Sequence, residues 1–80
     1  MNEVIKLSKT MDLTNLACPM PVIKLSVGIR GVDIGDIIEV HATDLNTLTD
    51  IPAWCRNPGN DILDIKREGE IIRFLIRRTS

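Results

Sequence analysis

Apolar and polar residues alternate along the first part of the chain, and the apolar side chains fall at Ile5, Leu7, Met11 and Leu13. A period of two is typical of a β-strand that buries one face. The alternation therefore predicts a first strand that ends near Leu13.

Residues 18–31 fit two different elements. Apolar and polar residues alternate from Ile23 to Arg30, as in a strand, and Gly28 would cost a helix roughly 1 kcal/mol. The same residues also satisfy helical spacing, and the preceding Cys18-Pro19-Met20-Pro21 favours a helix, because proline is tolerated in a first helical turn. Periodicity leaves open both a strand and a helix that has Cys18 at its cap and ends near Gly31.

Residues 37–56 predict a second strand and a second helix. The apolar residues at 37–42 predict a short strand in the centre of the sheet. Residues 44–47 are rich in helix-capping types, and Leu48, Ile51 and Cys55 then fall on one helical face. Pro52 either kinks this helix or moves the start of its regular part to near Asp50.

Residues 57–76 predict a turn and then a β-hairpin. Asn57-Pro58-Gly59-Asn60 ends the helix, and Arg67-Glu68-Gly69-Glu70 separates two apolar runs. The predicted order is β-α-β-α-β-β. Right-handed crossovers between parallel strands place both helices on the same face of the sheet. The fold class is therefore α/β, a two-layer sandwich with a four-stranded mixed sheet.

Length and composition narrow the classes of function. Eighty residues supply one hydrophobic core, so we expect a single domain over residues 1–80. The net charge of -1 gives no general attraction to nucleic acid or to anionic membranes. Arg73, Arg77 and Arg78 are more typical of a solvated strand face and a protected edge than of a phosphate site. The chain shows neither a signal peptide nor an apolar run of membrane-spanning length, so we expect a cytoplasmic protein.

The two cysteines are expected to be free thiols in a reducing compartment. At the cap of a helix, Cys18 would lie where unpaired N–H groups and the helix dipole stabilise the nucleophilic thiolate. Pro19 and Pro21 have no N–H, so the Met20 N–H is the first-turn donor expected to meet the sulfur. A buried, unreactive Cys18 is the alternative, and the residues alone do not separate the two.

Other candidate residues have structural interpretations. The helical spacing predicts that Cys55 faces the core. His41 could act as a base beside Cys18, but a histidine that alternates out of a strand is more typical of the surface. Trp54 could cover the cysteine or contact a partner, although packing between helix and sheet is the more common role. Lys24 could add positive potential near the sulfur or be solvated.

The segment from Asp12 to Pro21, with Cys-Pro-x-Pro at residues 18–21, resembles the motif of the TusA/SirA-like sulfur-carrier family. Residues 40–44 and 50–55 are similar to the second strand and second helix of that family, and residues 74–78 to its last strand. Asn15 stands where the family usually has glycine, and asparagine is the next most tolerant residue for a left-handed backbone. Leu48 and Thr49 stand where members of the family often carry a polar or basic residue.

The resemblance implies the two-layer fold and a helix after Cys18. It also implies a sulfurtransferase that acts as a relay: Cys18 accepts a sulfane sulfur as a persulfide and passes it to a partner protein, supported by Pro19, Met20 and Pro21. No metal or organic cofactor is implied. The expected partners are a sulfur donor, such as a cysteine desulfurase or a rhodanese, and an acceptor protein. Neither nucleic acid nor membrane is expected to bind directly, and a monomer with transient complexes is favoured. Transfer RNA thiolation and other sulfur metabolism use such carriers.

Two other classes of function are consistent with a small α/β domain. The first is a regulatory, RNA-binding or protein-binding module without sulfur chemistry, although the chain has only two aromatic residues and no basic stripe. The second is a redox or metal site formed by Cys18, Cys55 and His41. These residues lack C-x-x-C spacing and fall one ligand short of a zinc site.

Overall fold

The computed structural model describes residues 7–56 and 59–79. The order of elements is the predicted β-α-β-α-β-β, and the ambiguous segment after Cys18 is helical. The elements are β1 (Leu7–Leu13), α1 (Met20–Gly28), a short 3-10 turn (Ile29–Gly31), β2 (Ile37–Ala42), α2 (Thr47–Arg56), β3 (Asp61–Glu68) and β4 (Ile71–Arg77). Ile5, Asn57 and Pro58 lie outside the described residues. No helix in the described part of the chain is long and apolar enough to span a membrane.

The four strands form one mixed sheet in the order β1-β2-β4-β3. β1 and β2 are parallel, whereas β4 is antiparallel to both β2 and β3. Val40 lies opposite Met11 on one side and Phe74 on the other. β2 is therefore an interior strand, as its short apolar sequence predicts, and the outer edges belong to β1 and β3.

The core lies between the sheet and the two helices. Alternate residues of β2 and β4 are buried and pack against apolar side chains of both helices. This cluster includes Ile38, Val40, Ala42, Ile72, Phe74 and Ile76 from the sheet, and Leu25, Ile51 and Cys55 from the helices. The intervening residues, such as Glu39, His41 and Arg73, lie on the opposite face of the sheet, which agrees with a two-layer sandwich.

The buried face of α2 differs from the predicted one. Thr47, Ile51 and Cys55 are buried, whereas Leu48 is 38% exposed. Thr47 can occupy a core position because its hydroxyl donates a hydrogen bond to the Asp44 carbonyl (2.6 Å), so its burial leaves no polar atom unpaired. The prediction that Leu48 belongs to the core-facing set is therefore wrong.

α2 begins at Thr47, and therefore earlier than the predicted alternative of a start near Asp50. The Thr47 N–H donates to the Asp44 carbonyl at 3.0 Å, and the Asp50 N–H donates to the Asn46 carbonyl at 2.8 Å. These bonds establish the helix before Pro52, which lies inside it. Asp50 is consequently in the first turn of α2, where the positive end of the helix dipole stabilises a carboxylate.

Gly28 occupies the last turn of α1, where a glycine costs a helix roughly 1 kcal/mol. A Cβ atom at this position would overlap the terminal methyl group and the sulfur of Met11 on β1. A side chain at position 28 would therefore require the flexible end of Met11 to move.

The C-terminal arginines are engaged by nearby residues. Arg73 forms an ion pair with Glu68 (2.9 Å) and Arg77 with Asp61 (3.5 Å), both across the β3–β4 hairpin, and Arg78 donates to the Val32 carbonyl. These contacts agree with a solvated strand face. The prediction that these residues protect an edge of the sheet is wrong, because β4 lies between β2 and β3.

Candidate functional site

Cys18 lies in the loop between β1 and α1, and its side chain is exposed. α1 begins at Met20, so Pro19 occupies the cap position that the sequence suggests for Cys18. The reason lies in the backbone, because the Pro19 carbonyl accepts the Ile23 N–H at 3.2 Å and so makes the first helical bond. The prediction that Cys18 caps α1 is wrong by one residue. The Cys18–Pro19 peptide bond is cis.

The backbone donor that was expected to meet the sulfur is used elsewhere. The Met20 N–H donates to the Ala17 carbonyl at 2.9 Å, which closes a turn around Cys18. Pro21 is buried and anchors this turn to the core, whereas Pro19 and Met20 are exposed. The motif therefore presents Cys18 to solvent on a loop that is fixed from both sides.

Two carboxylates at the start of α2 act on Cys18. The Cys18 N–H donates a hydrogen bond to Asp44 Oδ2 at 2.8 Å, and the charge of Asp50, in the first turn of α2, acts on the thiol. Asp44 also accepts the Asn46 N–H at Oδ1 (3.0 Å), so its side chain joins the first residues of α2 to the Cys18 loop. Cys18 thus lies where the N-terminal ends of the two helices meet.

The two carboxylates affect the pKa of the thiol. The hydrogen bond to Asp50 raises the pKa of Cys18, and partial desolvation and the negative charges of Asp50 and Asp44 raise it further. The prediction of a thiolate-stabilising environment is therefore wrong. It considered the dipole of α1 and not the carboxylates of α2. The pKa of Asp44 is lowered, because its carboxylate accepts the backbone N–H groups of Asn46 and Cys18.

The loop before Cys18 is held against the end of β2. The Asn15 N–H donates to Thr43 Oγ1 at 2.8 Å, and Asn15 has a left-handed backbone with φ of 64°. Asp12 accepts hydrogen bonds from the Thr14 hydroxyl (2.5 Å) and the Thr14 N–H (3.0 Å), and both lower the pKa of Asp12. Asn15 thus adopts the conformation that the family's usual glycine would favour, as predicted.

The other candidate residues lie elsewhere. His41 Nε2 is 2.6 Å from Glu39 Oε2, on the sheet face opposite the core, so the interpretation of a base beside Cys18 gains no support. Trp54 packs against the core. Lys24 is exposed and makes no ion pair with any described residue. Cys55 is 2% exposed, and its burial raises the pKa of its thiol to about 11.

The cysteines do not form a joint site in the structure. Both are free, one exposed and one buried. Within residues 7–56 and 59–79, no group of three His, Cys, Asp or Glu side chains is arranged to hold a metal ion. A shared redox or metal centre of Cys18 and Cys55 therefore gains no support.

Asp44 and Asp50 are the site residues that the sequence interpretation missed. A signal for Asp44 was available, because Cys18 follows β1 and Asp44 follows β2. The loops after the carboxyl ends of two adjacent parallel strands meet at one edge of a sheet. Asp50 gave no comparable signal, because its effect on the pKa of Cys18 depends on how α2 packs beside α1.

An open, mainly apolar groove adjoins the site. It lies between β1 and α1, encloses about 570 Å³, and shares Met20 with the Cys-Pro-x-Pro motif. Its other apolar side chains include Met11, Leu16, Ile23 and Val27. Ile23 and Val27 are 47% and 64% exposed, so an apolar surface extends from Met20 along α1.

Comparisons with known proteins agree with this fold and motif. The family model described as "Sulfurtransferase TusA" matches residues 9–78. The chain is 38% identical over 73 residues to "Putative sulfur carrier protein YrkI" of Bacillus subtilis, which covers 91% of this chain and 97% of that protein. It is 29% identical over 69 residues to "Sulfur carrier protein TusA" of Allochromatium vinosum, which covers 86% of this chain and 91% of the relative.

A solved structure supports the architecture independently. The crystal structure of a SirA-like protein from Desulfitobacterium hafniense superposes with a TM-score of 0.76 at 16% identity, and covers 90% of this chain and 99% of the other. The superposition shows the shared two-layer fold. With the family model matching residues 9–78, the chain belongs to the TusA sulfurtransferase family.

Proposed function

We propose that this chain is a sulfur carrier that accepts a sulfane sulfur on Cys18 as a persulfide and relays it to a partner protein. The observation that carries the proposal is the exposed, free Cys18 in the Cys-Pro-x-Pro loop of a TusA-family chain. Cys55 is only 2% exposed. Cys18 is therefore the sulfur that a partner can reach.

The proposed loading step needs no cofactor. The Cys18 sulfur attacks the terminal sulfur of a donor persulfide, a new S–S bond forms, and the donor's own S–S bond breaks. Its electron pair remains on the donor cysteine, which takes up the proton that Cys18 releases. The Cys18 sulfur is oxidised as the donor's sulfur is reduced, so the step requires no external oxidant. Relay repeats the exchange with an acceptor thiol.

The residues around Cys18 have separate roles in this proposal. Buried Pro21 anchors the loop, and exposed Pro19 and Met20 flank the sulfur without covering it. A donor protein, of the cysteine desulfurase or rhodanese class, and an acceptor protein must each approach this exposed end of the molecule. Such an approach favours transient complexes over a permanent interface.

Loading followed by trapping tests the site and the relay together. The protein is incubated with a cysteine desulfurase and cysteine, repurified, alkylated with iodoacetamide and digested. The proposal expects the additional sulfur on the peptide that contains Cys18, and expects its loss when the loaded protein meets an excess of an acceptor thiol before alkylation. Additional sulfur confined to the peptide that contains Cys55 would contradict the proposal.

A further inference from the structure

Two consecutive residues after β2 form a clamp on the loop that carries Cys18. The Asn15 N–H donates a hydrogen bond to Thr43 Oγ1 at 2.8 Å, and the Cys18 N–H donates one to Asp44 Oδ2 at 2.8 Å. Thr43 and Asp44 belong to the connection between β2 and α2, whereas residues 14–19 connect β1 to α1. Two side chains of one connection therefore bind the backbone of the other at two separate points.

Asp44 is itself fixed to the start of α2. Its Oδ1 accepts the Asn46 N–H at 3.0 Å, and its carbonyl accepts both the N–H (3.0 Å) and the hydroxyl (2.6 Å) of Thr47. Thr47 is 1% exposed, so these bonds join Asp44 to a buried residue. The bond from the Cys18 N–H to Asp44 therefore links an exposed loop to a part of the molecule that the core holds in place.

The position of the Cys18 sulfur depends on the backbone of this loop. Cys18 is exposed, so its side chain is not held by the core. The bond from the Met20 N–H to the Ala17 carbonyl (2.9 Å) closes the turn around Cys18, but it joins two residues of the same connection. The contacts with Thr43 and Asp44 are the ones that orient this turn relative to α2.

We propose that Thr43 and Asp44 are positioning residues that hold Cys18 in the orientation in which a donor protein can transfer its sulfur. This inference rests on the proposed sulfur-carrier function. In the loading step, the Cys18 sulfur must approach the donor's terminal sulfur in line with the S–S bond that breaks. A misplacement of about 1 Å can slow such a reaction by roughly 100-fold.

The size of the donor determines how much the clamp matters. A persulfide on a folded protein is held by its own surroundings, so it can approach Cys18 only from the directions that the two surfaces allow. Glutathione persulfide is small, and it can meet an exposed sulfur from many directions. Both donors undergo the same exchange, in which the new S–S bond forms on Cys18 and the donor's cysteine keeps the electron pair of the broken bond. Loss of the clamp should therefore slow the protein donor selectively.

Two variants at position 43 test the first contact. Thr43→Val replaces the hydroxyl with a methyl group of similar size, and so removes the acceptor of the Asn15 N–H. Thr43→Ser keeps the hydroxyl and removes the methyl group. The pair therefore separates the hydrogen bond from the packing of the side chain.

One variant and a matched control test the second contact. Asp44→Ser shortens the side chain and withdraws the acceptor from the Cys18 N–H, while a serine hydroxyl can still accept the Asn46 N–H in a turn. Asp64→Ser makes the same change on β3, where the side chain is exposed and makes no hydrogen bond or ion pair with any described residue. This control repeats the loss of charge away from Cys18.

The rate of sulfur gain is measured for each protein by intact mass with three donors: a cysteine desulfurase with cysteine, a rhodanese with thiosulfate, and glutathione persulfide. We expect the protein donors to load Thr43→Val and Asp44→Ser about three- to tenfold more slowly than the wild type. Glutathione persulfide should load both at least as fast as the wild type. The charge of Asp44 raises the pKa of Cys18, so its removal does not lower the reactive thiolate fraction. Thr43→Ser and Asp64→Ser should resemble the wild type with every donor.

The readout that decides is the ratio of the protein-donor rate to the glutathione persulfide rate. A purely structural role of the clamp would lower the urea denaturation midpoint and leave this ratio unchanged. If the ratio in Thr43→Val and Asp44→Ser equals that of the wild type, the positioning role is overturned and the carrier function stands. A fall in Thr43→Ser as large as that in Thr43→Val would overturn the role of the hydroxyl.

The behaviour of the wild type separates this inference from the proposed function. If glutathione persulfide loads the wild type and neither protein donor does, positioning for these donors is overturned while Cys18 still carries sulfur. A wild type that gains no sulfur from any of the three donors overturns the carrier function and this inference with it.

Discussion

The Cys18 N–H donates a hydrogen bond to Asp44 Oδ2 at 2.8 Å, and this contact joins the loop before α1 to the residues that lead into α2. A cysteine that serves as a nucleophile is usually activated by cationic neighbours. Here the neighbours are acidic, and the carboxylates of Asp50 and Asp44 raise the pKa of Cys18.

The two cysteines should differ sharply in their reactivity. We expect iodoacetamide to modify the native protein once, at Cys18, because Cys55 is buried and its thiol has a pKa of about 11. Denaturant should expose the second site. Peptide mass spectrometry before and after addition of urea measures both events. Modification of Cys55 in the native protein at a rate similar to that of Cys18 would contradict the described burial.

Burial of Cys55 also predicts a loss of stability in alkaline solution. The folded pKa is raised from 9.0 to about 11, so the folded state holds this proton more tightly than the unfolded state. The stabilisation from this group is complete below about pH 9 and is lost as the pH rises toward 11. We expect this loss to be about 1–2 kcal/mol.

Urea denaturation at several pH values measures this effect, with Cys55→Ala as the control. The variant should be less stable at neutral pH because it removes a buried sulfur, but its stability should fall less between pH 8 and 11. If the stability of the two proteins falls equally, groups other than Cys55 cause the alkaline loss of stability.

Two substitutions on α2 test its orientation. Ile51 is fully buried and Leu48 is 38% exposed, so Ile51→Ala should lower the free energy of unfolding by about 2–5 kcal/mol and Leu48→Ala by less than about 1 kcal/mol. Chemical denaturation of both variants gives the comparison. Similar losses for the two would show that Leu48 shares the buried face, as the residue spacing alone suggests.

Asn15 tests the turn that leads to the site. Its φ of 64° is accessible to glycine and asparagine and is costly for most other residues. We expect Asn15→Gly to stay within about 0.5 kcal/mol of the wild type and Asn15→Val to lose about 1–2 kcal/mol. Denaturation midpoints, read together with the rate of Cys18 alkylation, measure both stability and loop order. If valine is tolerated as well as glycine, the left-handed conformation is not required.

The sequence was most informative where one face of a strand is buried. Buried and exposed residues alternate cleanly in β2 and β4, because their core residues pack against both helices. The alternation in the sequence therefore predicts where these two strands lie. α1 was ambiguous for a physical reason. Ile23 and Val27 are apolar but exposed, so they blur the helical pattern, and Gly28 lies beside the Met11 side chain, a tertiary neighbour that no local signal reveals.

The site was predictable in part. The Cys-Pro-x-Pro motif identifies Cys18, and the exposure of this residue is compatible with its proposed role. Its electrostatic environment was not predictable, because that environment depends on the packing of α2 beside the Cys18 loop. Asp50 is 32 positions from Cys18 in the sequence, and three-dimensional structure is needed to bring the carboxylate to the thiol.

The most direct test of the carrier function is the intact mass of three proteins: the wild type, Cys18→Ser and Cys55→Ser. Each is measured after incubation with a cysteine desulfurase and cysteine, or with a rhodanese and thiosulfate, and again after reductant. The account predicts that wild type and Cys55→Ser gain the mass of one sulfur atom, which reductant removes, while Cys18→Ser gains none. Loading of Cys18→Ser to the level of the wild type, or no loading of any of the three with either donor, would contradict it.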